Sequence, residues 1–398
     1  MKFMRKKLKN GVTVIMEKRE IPVVAFSISN KFGAAFEESK IKGIAHFMEH
    51  LVFTGTKTRS HEDISREIEK KGGVLNAFTA NEVTSFWFKL PSEHMFSGID
   101  ILIDMLKNPI FKEDKFEKEK KVILEEIKMG HDEPQRDVYD NILENLYEKP
   151  FGEGVIGRQE TIQELKRDFV FDYFKKAYSP ENYIISIVGD ADFEEVCAYI
   201  EKNFEKREAK IAEKEIKKIN KESAEEREGI DQAHFIFGVH APLRTDENYS
   251  ALEALNAYLA EGMSSKLFLK IREEKGLAYA IRGSIETEKN YSWYGIYVGT
   301  MKDAIPEVKK IILEELEKMQ EMNEKELEEV KIQLIGLRKI SNEESTKVMV
   351  DLLFAELAEK ADRYYEYENR IKKVRLEDVK KLAKTFIEKY STAVIVPK

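Results

Sequence analysis

The sequence predicts an α+β protein made of two similar modules, each a largely antiparallel sheet covered by helices. Three observations carry that prediction. The order of apolar periodicities in the first half recurs in the second. Strand-like and helix-like segments mix without the strict alternation of a parallel α/β fold. A chain of 398 residues, 42% hydrophobic and 35% charged, has the length for about two domains and the composition for packed cores.

The elements follow in order. "KLKNGVTVIME" reads as a hairpin, with Asn10-Gly11 as the turn signal between alternating residues. "VVAFSISNKFG" is a strand. Residues 43–53 and 60–71 have helical periodicity, and "VLNAFTANEVTSFWFKLP" gives paired strands. Helices are expected over 94–107, 113–130 and 167–177, and "NYIISIVGD" closes the unit with a strand. Residues 206–228 are almost all charged or small, which predicts a solvated connector. The expected division is therefore a first module at 1–205, a charged linker at 206–228 and a second, homologous module at 229–398. In that second module "AHFIFGVHAP" is a strand, helices follow, and "LAYAIRGSIE" and "YSWYGIYVGT" are strands. Helices over 304–319 and 324–340 and the strand "STAVIVP" complete it.

Composition excludes several functions. A net charge of -8 argues against a nucleic-acid binder, which would carry a basic face. The single cysteine, Cys197, lies on the apolar side of an amphipathic helix and reads as a buried structural thiol. One cysteine allows neither an internal disulfide nor a cysteine-based zinc cage. The start of the chain has no apolar signal-peptide core, and no run of about 18 apolar residues exists, so a cytoplasmic protein without a membrane span is expected.

The chemistry concentrates in "GIAHFMEHLVF", residues 43–53. At about 100° per residue, Glu49 lies about -60° and His50 about +40° from His46, so the three share one narrow helix face. Two imidazoles one turn apart can bind one zinc ion. A carboxylate on the same face can take a proton from water activated there. The bland alternative is a pair of satisfied core histidines and a buried ion pair. A third ligand is sought in "DKFEKEKKVILEEIKMG". Its apolar stripe is Phe116, Val122, Ile123 and Ile127; Glu119 and Glu126 fall within that stripe, and Glu117 and Glu125 point away. Two carboxylates buried together are unfavourable by several kcal/mol without a cation, which Zn²⁺ would supply. Salt bridges to lysines are the alternative. Periodicity alone does not separate Glu119 from Glu126.

The duplication provides a control. His46, Glu49 and His50 align with Ala254, Ala257 and Tyr258, and Glu119 and Glu126 with Val330 and Leu337. Histidines and carboxylates are absent together from the second copy. One shared metal site predicts that joint loss; independent surface charges do not.

Taken together, "HFMEH" at 46–50, "EKEKKVILEEI" at 117–127, "GGVLNAFT" at 72–79 and "FLKIREEKGLAY" at 268–279 resemble the M16 (pitrilysin, or inverzincin) family of metallopeptidases, over essentially the whole chain. The resemblance is to the subfamily of similar-sized chains that includes mitochondrial processing peptidase and its prokaryotic relatives. It implies His46, His50 and Glu126 as zinc ligands, Glu49 as general base and Glu119 as an acidic residue behind the ligands. The "V-I-L-x-E" context is what assigns the ligand role to Glu126. It also implies a substrate strand pairing with the edge at Asn76, Ala77 and Phe78. Arg272 and Tyr279 would bind the substrate carbonyl and the developing oxyanion. The expected activity is a zinc endopeptidase with one Zn²⁺ per chain, hydrolysing short unfolded peptides in a closed chamber. Two modules suffice for half of a four-module clamshell, so a homodimer, or a heterodimer with a homologous chain, is expected. A non-catalytic or partner-dependent peptide-binding subunit of the same fold is the alternative.

Overall fold

A computed structural model describes residues 2–207 and 211–398. Along the chain run β1 (Lys2–Lys7), β2 (Thr13–Lys18), β3 (Val23–Asn30), α1 (Ile44–Val52), α2 (His61–Glu69), β4 (Val74–Thr79) and β5 (Thr84–Pro91). Then come α3 (Met95–Lys107), α4 (Glu113–Asp132), α5 (Pro134–Leu146), α6 (Gln159–Glu164), α7 (Arg167–Ala177), β6 (Tyr183–Gly189) and α8 (Phe193–Asn203). The rest comprises β7 (Glu222–Arg227), β8 (Ala233–His240), α9 (Tyr249–Ala260), a π-helical turn at Phe268–Glu274, β9 (Ala278–Thr287), β10 (Ser292–Thr300) and α10 (Ile305–Lys318). It ends with α11 (Glu324–Ser341), α12 (Ser345–Ala358), α13 (Tyr367–Lys372), α14 (Leu376–Glu388) and β11 (Ser391–Pro397).

The strands form two sheets, ordered β1-β2-β6-β3-β5-β4 and β7-β11-β8-β10-β9. In the first, β2 and β6 run parallel and every other neighbour pair is antiparallel. In the second, β7 and β11 run parallel and the rest antiparallel. Dropping β1 therefore makes the two topologies identical, strand for strand. The duplication expected from element order is a duplication of pairing as well.

The first unit has helices on both faces of its sheet. Phe26, Ile28, Phe86 and Phe88 pack on one side against Phe47, Leu51, Ile99 and Leu102 of α1 and α3. On the other side Ile15, Ala25, Ile184 and Val188 meet Val348, Met349, Leu352 and Leu353 of α12. The Ser186 hydroxyl donates to the Met349 carbonyl at 2.8 Å. Burial from both sides explains why β3 and β6 read as near-continuous apolar runs.

The second unit follows the same plan. Phe235, Phe237, Ile296 and Val298 pack against Leu252, Leu255, Ile311, Ile312 and Phe386 of its own helices. Its other face is covered by α5. A Cβ at Gly238 of β8 would lie 2.6 Å from Cγ1 of Ile142 on α5, so glycine is what admits the helix. The Asn145 amide donates to the Thr392 carbonyl at 3.0 Å, and the Tyr147 hydroxyl to the Ser292 carbonyl at 2.8 Å.

The unit boundaries differ from contiguous modules at 1–205 and 229–398. The first unit comprises Met1–Lys128, Gly154–Glu215 and Ser341–Tyr364; the second comprises Met129–Glu153, Ile216–Ile340 and Tyr365–Lys398. Each takes one covering helix, α12 or α5, from the other half of the sequence. The charged stretch 206–228 is also more than a connector. Residues Glu222–Arg227 form β7, paired from Thr392↔Glu222 to Pro397↔Arg227 along β11. An edge strand is held by main-chain hydrogen bonds, so its charged side chains stay in solvent, where Glu222 meets Lys309 and Glu226 meets Lys302, both at 2.8 Å.

Candidate metal centre

The centre lies within the first unit, on α1, α4 and β4. Helix α1 starts at Gly43, whose φ of +93° is a left-handed conformation that disfavours other residues. A Cβ there would lie 2.4 Å from the Ile156 carbonyl oxygen. Glycine offers no capping side chain, and Glu37 supplies the cap. Its two carboxylate oxygens accept from the Gly43 N–H at 2.9 Å and the Ala45 N–H at 2.7 Å. Glu37 and Lys42 are both fully buried and pair at 3.6 Å. Phe47 stacks on Phe116, ring centroids 4.8 Å apart, which fixes α1 against α4.

The expected same-face geometry is present. The His46 and His50 rings lie 4.7 Å apart, inclined by 66°. Glu126 Oε2 is 3.9 Å from His46 Nε2 and 3.7 Å from His50 Nε2. One ligand atom from each of His46, His50 and Glu126 falls within 4.8 Å of the others. Two nitrogens and a carboxylate oxygen converging in this way fit a zinc ion that keeps a further position for water or substrate. Glu119 is placed differently, with Oε2 3.4 Å from His50 Nδ1 on the far side of that ring. A proton on Nδ1 donated to Glu119 leaves Nε2 with its lone pair toward Glu126.

The two carboxylates are less buried than the apolar stripe suggests. The side chains of Glu119 and Glu126 retain 20% and 35% exposure. Val122, placed in the stripe by periodicity, is 37% exposed, while Lys120 is buried and donates to the Leu165 carbonyl at 2.8 Å. The long lysine stem fills the apolar seam and its ammonium reaches a carbonyl at the end.

Glu49 does not join the three ligand atoms. It accepts a hydrogen bond from the Thr79 hydroxyl at the end of β4. Burial pushes its carboxyl above the ordinary range; the Thr79 bond and the neighbouring His50 oppose this, and Glu126 adds to it. For His50, burial favours the neutral ring, yet the Glu119 bond and the charges of Glu126, Glu49 and Glu119 together raise its pKa. A small cavity of about 190 Å³ opens beside Glu49, His50, Phe53, Thr54, His61 and Glu119.

The remaining expected residues are placed as follows. Asn76, Ala77 and Phe78 lie on β4, which pairs with β5 on one side and ends the sheet on the other. The Asn76 side chain accepts the Ala77 N–H at 2.8 Å. The Phe78 ring stacks on Phe354 of α12. In the second unit Arg272 and Tyr279 meet one another. The guanidinium donates to the Tyr279 carbonyl at 3.3 Å and lies 5.3 Å from the centre of its ring. Tyr279 is 76% exposed. Sequence reasoning missed the contacts of Glu37 and Thr79. Thr79 was visible only as the last letter of "NAFT", and nothing in "FEESK" marks Glu37 as a cap for a helix seven residues on.

Two histidines and a carboxylate offer ligand atoms around one point, with a further carboxylate in H-x-x-E-H order, on a duplicated α+β scaffold. Residues 12–158 match the family model "Insulinase (Peptidase family M16)", and residues 164–334 match "Peptidase M16 inactive domain". An uncharacterized zinc protease of Bacillus subtilis is 32% identical over 98% of this chain and 97% of its own. One from Rickettsia felis is 32% identical over 82% of this chain and 81% of its own. The chain belongs to peptidase family M16. Its fold is also that of a crystallised protease from Helicobacter pylori, with a TM-score of 0.92 at 22% identity, covering 100% and 99% of the two chains. A structure from Pseudomonas fluorescens described as a peptidase M16 inactive domain gives 0.89 at 17% identity, covering 100% and 99%.

Proposed function

We propose that this protein is a zinc-dependent endopeptidase acting on short, unfolded peptides. The observation that carries the reading is the convergence of His46, His50 and Glu126 on one point, with the Glu49 carboxylate at the same small cavity. The zinc-protease names of its relatives support the metal and the reaction class. His46, His50 and Glu126 would hold the zinc ion, which would supply Lewis acidity for the scissile carbonyl and the attacking water. The protein's own groups do the rest. Glu49 takes the proton of that water on its carboxylate and delivers it to the leaving amine nitrogen. Thr79 holds that carboxylate in place, and Glu119 fixes the His50 ring and its tautomer. The free edge of β4 offers Asn76, Ala77 and Phe78 to an extended substrate strand, a mode open to an unfolded peptide and closed to a folded domain. Arg272 and Tyr279 are assigned to the substrate carbonyl and the oxyanion. The reading includes a cytoplasmic protein working as a homodimer or with a homologous chain. Among the described residues, no helix is long and apolar enough to cross a membrane.

A non-catalytic peptide-binding role is the competing reading, favoured by the match of residues 164–334 to a domain described as inactive. That match begins at 164 and so excludes His46, His50, Glu119 and Glu126; it bears on the half that carries none of the proposed ligands. Digestion of a peptide mixture, with the fragments identified by mass spectrometry, separates the two. Unstructured peptides of a few tens of residues should be cut and a stable folded protein should survive. Intact peptides after incubation with zinc-loaded protein would favour the binding role.

A further inference from the structure

We infer that Glu37 is a positioning residue of the metal centre, acting through the N-terminus of α1 on His46. The inference rests on the reading of His46 as a zinc ligand and goes beyond it by assigning a residue outside the motif. His46 is the third residue of α1, in its first turn. That turn ends in main-chain N–H groups with no helical acceptor, and it carries the positive end of the helix dipole. Both features oppose holding a dication there. Gly43, forced by its left-handed φ and by the Ile156 carbonyl against it, has no side chain to relieve either. Glu37 relieves both. One carboxylate oxygen takes the Gly43 N–H and the other the Ala45 N–H, one residue before His46. When ionised, its charge sits at the helix end that carries the ligand.

The surroundings hold this acid firmly in place. Glu37 and Lys42 have no exposed surface, and with glycine forced at the N-cap no Ser, Thr or Asp side chain can cap α1 from that position, so the cap comes from a carboxylate six residues upstream. Burial pushes the Glu37 carboxyl up to about 7, against the pull of Lys42 and the two N–H groups. Lys42 is itself tied down, its ammonium donating to the Ala34 carbonyl at 3.0 Å and its carbonyl accepting from Thr161 at 2.8 Å. The acid, its counter-ion and the first turn of α1 form one rigid block. His46 leaves that block already aimed.

The test is the zinc affinity of the folded protein, by competition with a chromogenic chelator, for wild type, Glu37→Gln, Glu37→Asp and Ile187→Ala. Glutamine keeps the shape but has one acceptor oxygen, and it turns an N–H₂ toward a main-chain N–H. Zinc should bind about 10- to 100-fold more weakly to Glu37→Gln, the range typical of residues that orient a ligand. Ile187→Ala lowers thermal stability from β6, in the same apolar core but outside α1 and α4, and should leave zinc affinity unchanged at a temperature where it is folded. Equal affinity in wild type and folded Glu37→Gln overturns the inference. So does an equal loss in Ile187→Ala, which would make the effect one of general stability. If Glu37→Gln does not fold, Glu37→Asp decides: retracted by one methylene, it should bind zinc measurably more weakly, toward the lower end of about 10- to 100-fold, and wild-type affinity overturns the inference. Wild-type protein that binds no zinc would instead remove the zinc reading itself, a separate outcome.

Discussion

Thr79→Val removes one hydroxyl and keeps the branched shape, so it isolates the hydrogen bond to Glu49. The bond joins a neutral donor to a carboxylate in a half-buried setting, with Glu49 drawn up by burial and by Glu126. A hydrogen bond to a charged group contributes about 1.5–3 kcal/mol net, which corresponds to roughly 10- to 150-fold in rate at about 1.4 kcal/mol per factor of ten. The bond orients the base rather than the substrate. The loss should therefore fall on kcat, about 10- to 100-fold, with KM within about twofold. Zinc content should stay at the wild-type level, because the Thr79 hydroxyl is bonded to Glu49, which is not one of the three proposed ligands. The sign of the pH effect follows from the same contact. Thr79 holds the Glu49 carboxyl down, so its removal raises that pKa, and the acidic limb of kcat/KM moves to higher pH. The assay is steady-state cleavage of a quenched fluorescent peptide across pH 5–9, on variants of verified metal content. Thr79→Ser restores the donor and should recover most of the rate. A Thr79→Val rate within twofold of wild type, or a Thr79→Ser variant as impaired as the valine, refutes the positioning role.

Three further outcomes follow from other contacts. Glu119→Gln replaces the carboxylate facing His50 Nδ1 and should weaken zinc about 10- to 100-fold with the fold retained; chelator competition that finds no change would detach Glu119 from the centre. Gly238→Ala sets a methyl 2.6 Å from Ile142 Cγ1 and should destabilise the second unit by about 1–3 kcal/mol, with Ile142→Ala in the same chain recovering part of the lost melting temperature. An unchanged melting temperature would mean that α5 packs more loosely on the second sheet than described. Glu253, part-buried and within the charge influence of Arg370, Arg244 and Arg338, is pushed up to about 7 by the loss of solvent around its carboxylate. The folded state then holds a proton that the unfolded state has released, between the ordinary carboxylate value of 4.5 and about 7. This contribution to stability is present below pH 4.5 and lost as pH rises through 7. Glu253→Gln should flatten the fall in melting temperature of metal-free protein between pH 5 and 8. It should not abolish the fall, because Glu37 adds a parallel term in the first unit. An unaltered slope would contradict a protonated Glu253.

Much of the fold was legible because long amphipathic segments state their own periodicity. Helices expected over 94–107, 113–130, 167–177 and 324–340 are found at Met95–Lys107, Glu113–Asp132, Arg167–Ala177 and Glu324–Ser341. The candidate metal cluster of His46, His50 and Glu126 was legible for a related reason: a polar residue inside an apolar stripe is conspicuous. The stripe did not separate Glu119 from Glu126, since both fall on the same face of α4. What separates them in space is the His50 ring, which has Glu119 at Nδ1 and Glu126 at Nε2. The rest depended on contacts far apart in sequence. Strand β7 carries no apolar alternation, because its pairing is by main chain at a sheet edge. Helices α5 and α12 cover sheets formed by the opposite halves of the sequence, and local pattern cannot say which sheet a helix will cover. Glu37 and Thr79 acquire their roles from the folded positions of Gly43 and Glu49. Neither residue type is unusual in its own sequence neighbourhood.

The central claim is a single zinc site on α1 and α4, and metal analysis of purified protein tests it most directly. Wild type should carry about one zinc per chain. His50→Ala, which deletes a ligand nitrogen, should carry almost none. Glu49→Gln, which alters the base beside the site and no ligand, should keep the full complement while losing peptide hydrolysis by orders of magnitude. Full zinc in His50→Ala, or no zinc in wild type after incubation with the metal, would contradict the account.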